Sequence, residues 1–193
     1  MSKSRKDHFN FKTPVIMHIS GPPASGKTTL GQLIEETFGS SGVIVIDTDE
    51  FIHGNLNSKD LSDWVSILDK KFTNVIKKHS DDGTILIIFV GVLENFGPKE
   101  DVAMYELKHV DVKFYLHIPT VILIQQFYRR ICEIKDIDYW KEVSAGILSI
   151  PSSDQMLQNV TTLQLWHIQH EYQLVSVEDI MKQIKLIIST VSY

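Results

Sequence analysis

The densest chemistry in this sequence lies in Gly21-Pro22-Pro23-Ala24-Ser25-Gly26-Lys27-Thr28. Two glycines stand five positions apart, and a lysine and a hydroxyl residue follow the second. In a G-x-x-x-x-G-K-[ST] loop, successive backbone amides point into one concavity and hold phosphate oxygens. A helix opening directly after the loop adds its dipole. Lys27 is expected to reach the β- and γ-phosphates, and the Thr28 hydroxyl to bind Mg²⁺. Pro22 and Pro23 cannot donate, so the amides come mainly from Ala24 through Thr28. The prolines instead fix φ on the incoming limb. Gly21, Ala24, Ser25, Gly26, Lys27, Thr28 and Thr29 are the candidate nucleotide-binding residues, and ATP with Mg²⁺ the expected cofactors.

A second group of candidates is Asp47-Thr48-Asp49. Spaced by two in extended chain, the carboxylates share a side. One is suited to take a proton from an acceptor hydroxyl and the other to hold Mg²⁺ through water. The plainer alternative is a solvated turn in which Thr48 or Asp49 caps a local helix. Arg129 and Arg130 are adjacent, so on a helix they cannot face the same way. One is expected at the base or phosphates of the nucleotide, the other in solvent; Arg130 is taken as catalytic and Arg129 as nucleotide-binding. Glu94 is a possible further acid. Phe51, Trp64, Phe96 and Tyr105 are acceptor-pocket candidates, with core packing the safer reading of each. His167 and His170 stand three apart, a weak metal signal, and are read as structural or surface residues.

These residues need elements to hold them. Pro14–Ser20, Val43–Ile46, Thr84–Val90 and Val112–Ile118 are apolar runs of strand length, and Tyr172–Val175 is a shorter one. Between them lie helical patterns: Thr28–Phe38 closed by Gly39, a stripe from Trp64 to Ile76, a helix from Pro119-Thr120 to about Lys135, and one after Ser176, whose Asp179 completes a capping box. Pro98–Lys108 reads as a short helix and 136–169 as mixed helix and loop. Residues 1–12 read as a mobile tail, with 13–193 as one domain. Strands apolar on both faces and alternating with helices predict an α/β fold, a five-stranded parallel sheet covered by helices on both faces. Ligands on such sheets sit at the strands' carboxyl ends, which here carry Gly21, Asp47 to Asp49, and Gly91 to Glu94.

The loop resembles that of the P-loop nucleoside and nucleotide kinases. The double proline is similar to adenylate kinases, which usually place glycine where Ala24 stands; alanine is acceptable if its φ stays negative. Asp49-Glu50-Phe51 looks like the Asp-x-Phe of uridine and nicotinamide riboside kinases, which implies that Asp49 acts on the substrate hydroxyl. Gly91-Val92-Leu93 looks like the Glu-Gly-Ile/Val of the same enzymes, with Val90 in place of the glutamate. Asp47-Thr48-Asp49 also resembles the Asp-x-Asp of shikimate kinase. The resemblance covers residues 14–135 and 172–190. It departs in the lid region, 136–169, which contains no arginine and one lysine, Lys141.

The chain of 193 residues is 43% apolar and 22% charged, the composition of a soluble globular protein. A net charge of −5 speaks against a nucleic-acid-coating protein while leaving a local basic groove open. Cys132 is the only cysteine, so no internal disulfide forms, and a reducing, cytoplasmic setting is expected. The polar start lacks the apolar stretch of a secretory signal. With only three arginines, the chain is poorly equipped to clamp an anionic monophosphate acceptor. The leading expectation is therefore an ATP-dependent kinase acting on a small-molecule, nucleoside-like hydroxyl. The alternatives are a nucleoside monophosphate kinase, a polynucleotide 5′-hydroxyl kinase and a non-catalytic nucleotide binder. A GTPase-type switch is disfavoured because its guanine motif is missing. No membrane partner is expected, and the oligomeric state is left open.

Overall fold

The structure is a computed structural model and describes residues 13–49, 61–91, 94–96, 102–104 and 106–191. The proposed tail, 1–12, lies outside them. The elements are β1 (Val15–Ser20), α1 (Lys27–Phe38), β2 (Val43–Asp47), α2 (Leu61–Asp81), β3 (Leu86–Val90), β4 (Glu94–Phe96), β5 (Val102–Met104), β6 (Val112–Leu116), α3 (Thr120–Cys132), α4 (Ile137–Ser144), α5 (Ser153–Gln169), β7 (Gln173–Val175) and α6 (Val177–Val191).

Five strands form one parallel sheet in the order β2-β3-β1-β6-β7. The register pairs Ile19 with Val90 and Asp47 with Val90, so β1, β2 and β3 end at one level. The central strands β1 and β3 are buried on both sides, and alternation along the strands divides their side chains between two cores. Met17, Ile19, Leu86, Ile88 and Val90 meet Leu30, Ile34 and Phe38 of α1 and Ile180 and Ile184 of α6. On the opposite face Ile16, Ile87 and Phe89 meet Leu68 and Phe72 of α2. Farther along that face Tyr115 meets Leu163 of α5 and Tyr172. The expected architecture is therefore the observed one.

Two expectations change. Within Pro98–Lys108, Val102–Met104 is not helical but pairs antiparallel with Glu94–Phe96, Asn95 opposite Ala103. A connection of five residues, 97–101, is of hairpin length, and the cross-strand ladder overrides the local helical pattern. Segment 136–169 resolves into two capped helices. The Asp136 side chain accepts from the amides of Asp138 and Tyr139 to start α4. Ser152 and Gln155 form a reciprocal capping box that starts α5. At α6 the foreseen box is present, with Asp179 N donating to Ser176 Oγ at 3.2 Å and Ser176 N to Asp179 Oδ2 at 3.3 Å.

Candidate active site

The phosphate loop joins the end of β1 to the start of α1. Its two glycines serve different needs. At Gly21 a Cβ would lie 3.1 Å from Ser25 Oγ and 3.2 Å from Leu116 Cβ, so the position is limited by space. At Gly26 a Cβ would meet nothing within 4 Å, but φ is +84°, so the position is limited by torsion. Ala24 also has positive φ, +62°, contrary to the expectation that it stays negative. An alanine in the left-handed region is strained by its Cβ, and it is held there because the loop must turn twice within three residues. Ser25 N donates back to Pro22 O at 3.2 Å and closes the turn.

Lys27 Nζ donates to the carbonyls of Gly21 and Pro22, both at 2.8 Å, so the ammonium is held over the loop. Thr28 Oγ1 donates to Asp47 Oδ2 at a long 3.4 Å. The other oxygen of that carboxylate, Oδ1, accepts from Asp49 N at 2.9 Å. Asp47 thus braces the turn that presents Asp49, whose side chain is exposed. Between them Thr48 is fully buried. Its amide donates to Val90 O at 2.8 Å, and a Cβ at Gly91 would come within 1.9 Å of its Oγ1. Gly91 has φ +145°, and no side chain fits there. Val90, standing in place of the resembling kinases' glutamate, packs in the core on the α1 side.

The residues fit a triphosphate with a divalent cation. Positive φ at Ala24 and Gly26 is the kind of backbone reversal that turns neighbouring amides into one concavity. The Ser25 hydroxyl is buried with no hydrogen-bond partner among the described residues. Thr28 Oγ1 and the Asp47 carboxylate are hard oxygen donors set side by side, as Mg²⁺ requires. Thr29 is exposed in the first turn of α1.

A groove of about 350 Å³ flanks the loop, lined by Pro23 and Ala24 on one side and Phe127, Arg130, Ile131, Glu133 and Ile134 on the other. Arg130 therefore stands beside the loop. Arg129 is not among the lining residues; its side chain is 81% exposed and its Nε donates to Glu133 Oε1 at 2.9 Å. Of the arginine pair it is thus Arg130 that faces the groove, together with Glu133, which the sequence reading did not select. Phe51, Tyr105 and the side chains of Trp64, Glu94 and Phe96 lie outside the described residues.

His167 is structural. It is buried, and its Nδ1 donates to Leu163 O at 2.7 Å. His170 stacks on Trp166, with ring centroids 3.8 Å apart. Sequence reading passed over His18, buried on β1 behind the loop. Its Nε2–H donates to Gly91 O at 3.2 Å, since a carbonyl can only accept. Its Nδ1 is then the acceptor for the Tyr172 hydroxyl. The available signal was a histidine inside a strand otherwise apolar on both faces.

A family model for Zeta toxin matches residues 2–79, less than half of the chain. No curated protein sequence matches it. Among solved structures, a shikimate kinase from Bacteroides thetaiotaomicron is similar over 91% of this chain and 98% of its own, at 15% identity and a TM-score of 0.53. A thymidylate kinase from Ehrlichia chaffeensis aligns with 79% of this chain and 99% of its own, at 15% identity and a TM-score of 0.34. The likeness to the shikimate kinase is one of fold, and the loop at this chain's β1–α1 junction matches G-x-x-x-x-G-K-[ST]. No helix among the described residues is long and apolar enough to cross a membrane.

Proposed function

We propose that this protein is an ATP-dependent kinase that transfers the γ-phosphoryl group to a hydroxyl of a small, nucleoside-like molecule. The observation that carries the reading is the contact of Thr28 Oγ1 with Asp47 Oδ2, with Asp49 braced two residues on. Two oxygens of the kind that bind hard cations, with a carboxylate beside them next to the loop, support the reading. When bound, Mg²⁺ would neutralise charge on the transferring phosphates, and Thr28 and Asp47 would hold it. The loop amides and Lys27 bind phosphate oxygens. Arg130, beside the loop, adds positive charge where negative charge develops. The groove between Ala24 and Arg130 is of suitable chemistry for the nucleotide base, with apolar walls, one cation, Arg130, and one carboxylate, Glu133. Asp49 accepts the acceptor's proton.

Transfer from radiolabelled ATP to nucleosides, nucleoside monophosphates, shikimate, sugar acids and a 5′-hydroxyl oligonucleotide tests the reading. A labelled nucleoside-class product is expected, and its loss by about 10²–10³-fold in Lys27→Ala. Tight ATP binding with no transfer to any acceptor would favour a non-catalytic nucleotide binder. Labelled monophosphates or oligonucleotide would select one of the other kinase classes.

A further inference from the structure

We propose that His18 and Tyr172 are positioning residues for the metal side of this site, acting through Gly91 and Thr48 on Asp47. The proposal rests on the reading of Thr28 and Asp47 as the pair that holds Mg²⁺.

The path runs through buried groups. The Tyr172 hydroxyl donates to His18 Nδ1, and His18 Nε2–H donates to Gly91 O. The tyrosine ring meets the imidazole edge-on, 5.5 Å between centroids. Gly91 is where the chain leaves β3. Its amide is bonded to Ile19 O at 3.0 Å, and the Gly91 Cα leaves no room for a Cβ against Thr48 Oγ1. Thr48 N is bonded to Val90 O at 2.8 Å. Any shift at residue 91 is therefore passed by contact to Thr48, and Thr48 is flanked by Asp47 and Asp49. His18 itself lies three residues before Gly21, on the strand that feeds the loop. One side chain thus ties the strand that starts the phosphate loop to the strand end on which the carboxylate-bearing turn rests.

The chemistry of the pair suits a fixed brace. A neutral imidazole in the Nε2–H form satisfies both partners at once; a charged one would leave Nδ1–H facing the tyrosine hydroxyl. Burial, with His167, Lys113 and Lys27 adding positive potential, pushes His18 down to about 3. Burial, with Glu106 nearby, pushes the Tyr172 phenol above its ordinary range. Neither group changes charge near neutral pH, so the geometry they impose is constant there. His18 touches no phosphate or metal position, which separates its role from that of Lys27 or Thr28.

The test compares affinity for a fluorescent ATP analogue with and without Mg²⁺ in the wild type, Tyr172→Phe and His18→Gln, with Tm recorded for each. Tyr172→Phe keeps the ring and removes only the donor, so it carries the test if His18→Gln fails to fold. The expected result is metal-free affinity kept within about twofold and the gain from Mg²⁺ reduced about tenfold, the scale on which an outer partner of a metal ligand acts. Folded variants with a lowered Tm and an unchanged gain from Mg²⁺ would mean packing alone and overturn the proposal. A wild type with no gain from Mg²⁺ would instead refute the metal reading of Thr28 and Asp47, and the positioning role with it. ¹⁵N spectra of the imidazoles supply a readout that needs no variant to survive. His18 should show the neutral Nε2–H form at pH 7 and still at pH 5, and the opposite tautomer would also overturn the proposal.

Discussion

At the scale of single residues, the site needs glycine for two different reasons. Gly26 is limited by its φ of +84°, and Gly91 by the 1.9 Å that a Cβ would leave to Thr48 Oγ1. Gly26→Ala is expected to cost about 1–2 kcal/mol of torsional strain and leave a folded protein. Gly91→Ala must push Thr48 aside and should cost more in stability, with loss of the Asp47 turn. Ala24→Gly is the opposite case. The alanine already sits at φ +62°, so glycine relieves strain, offset by about 0.5–1 kcal/mol of extra freedom in the unfolded chain. Stability equal to wild type or up to about 1 kcal/mol higher in urea melts is expected, and a clear loss would contradict the left-handed assignment. Among the metal-side residues, Thr28→Val should weaken Mg²⁺-dependent nucleotide binding more than metal-free binding. Asp49→Asn should leave nucleotide affinity nearly unchanged and lower turnover by about 10²–10⁴-fold. Equal affinity losses with and without Mg²⁺ in Thr28→Val would refute the metal role. Full turnover in Asp49→Asn combined with loss in Asp47→Asn would reverse the two assignments.

At the scale of elements, the sheet was readable because β1, β2 and β3 are short apolar runs that end at or just before glycine or aspartate. Val43 to Ile46 and Leu86 to Val90 leave little choice of period. The α6 start was readable for a different reason: Ser176 and Asp179 have the right spacing and lie directly before an apolar helix. The same type of signal stands at Ser152 and Gln155, yet α5 was not separated from its surroundings. Its apolar residues do not trace one stripe: Met156, Leu163 and His167 are buried, while Leu157 and Leu165 are exposed. The cap, rather than amphipathicity, defines that helix. Ser152→Ala is therefore expected to cost about 1 kcal/mol, as at other caps, and to raise amide exchange in the first turn of α5. Unchanged exchange there would mean that packing against α3, including the Tyr128 hydroxyl bond to Pro151 O at 2.9 Å, holds the helix without its cap. The β4–β5 pair escaped sequence reading because Val102-Ala103-Met104 is too short to show a period. At the site, the spacing of the loop and of the two aspartates was legible. The choice between Arg129 and Arg130 was not, because it depends on which side of α3 faces Pro23 and Ala24.

At the scale of the whole molecule, two buried imidazoles couple stability to pH. His18 is pushed down to about 3 and His167 to about 4, in each case by burial first. The carbonyls of Gly91 and Leu163 pull the other way without compensating. The groups facing them are Tyr172, Tyr115, Lys113, Lys27, His170 and each other, and none supplies a negative charge. The folded values lie below the ordinary 6.5, so the unfolded chain binds more protons between pH 6.5 and about 4. Stability is therefore full above pH 6.5 and falls as the pH drops below it, by at most about 1.4 kcal/mol per pH unit for each histidine. At pH 5 the combined loss is a few kcal/mol, a large part of the about 5–15 kcal/mol that holds a typical domain. Carboxylates act in a separate window. Asp179, held below 3.8 by its bonds to Ser176, contributes above that value and loses its effect only in stronger acid. Urea midpoints at pH 7.5, 6 and 5 should thus decline steadily in the wild type. His167→Gln should fold with a shallower decline, since glutamine cannot take up the proton. A midpoint that stays level from pH 7.5 to 5 would mean that the two imidazoles are charged in the folded protein, and the neutral brace behind the phosphate loop would then have to be abandoned.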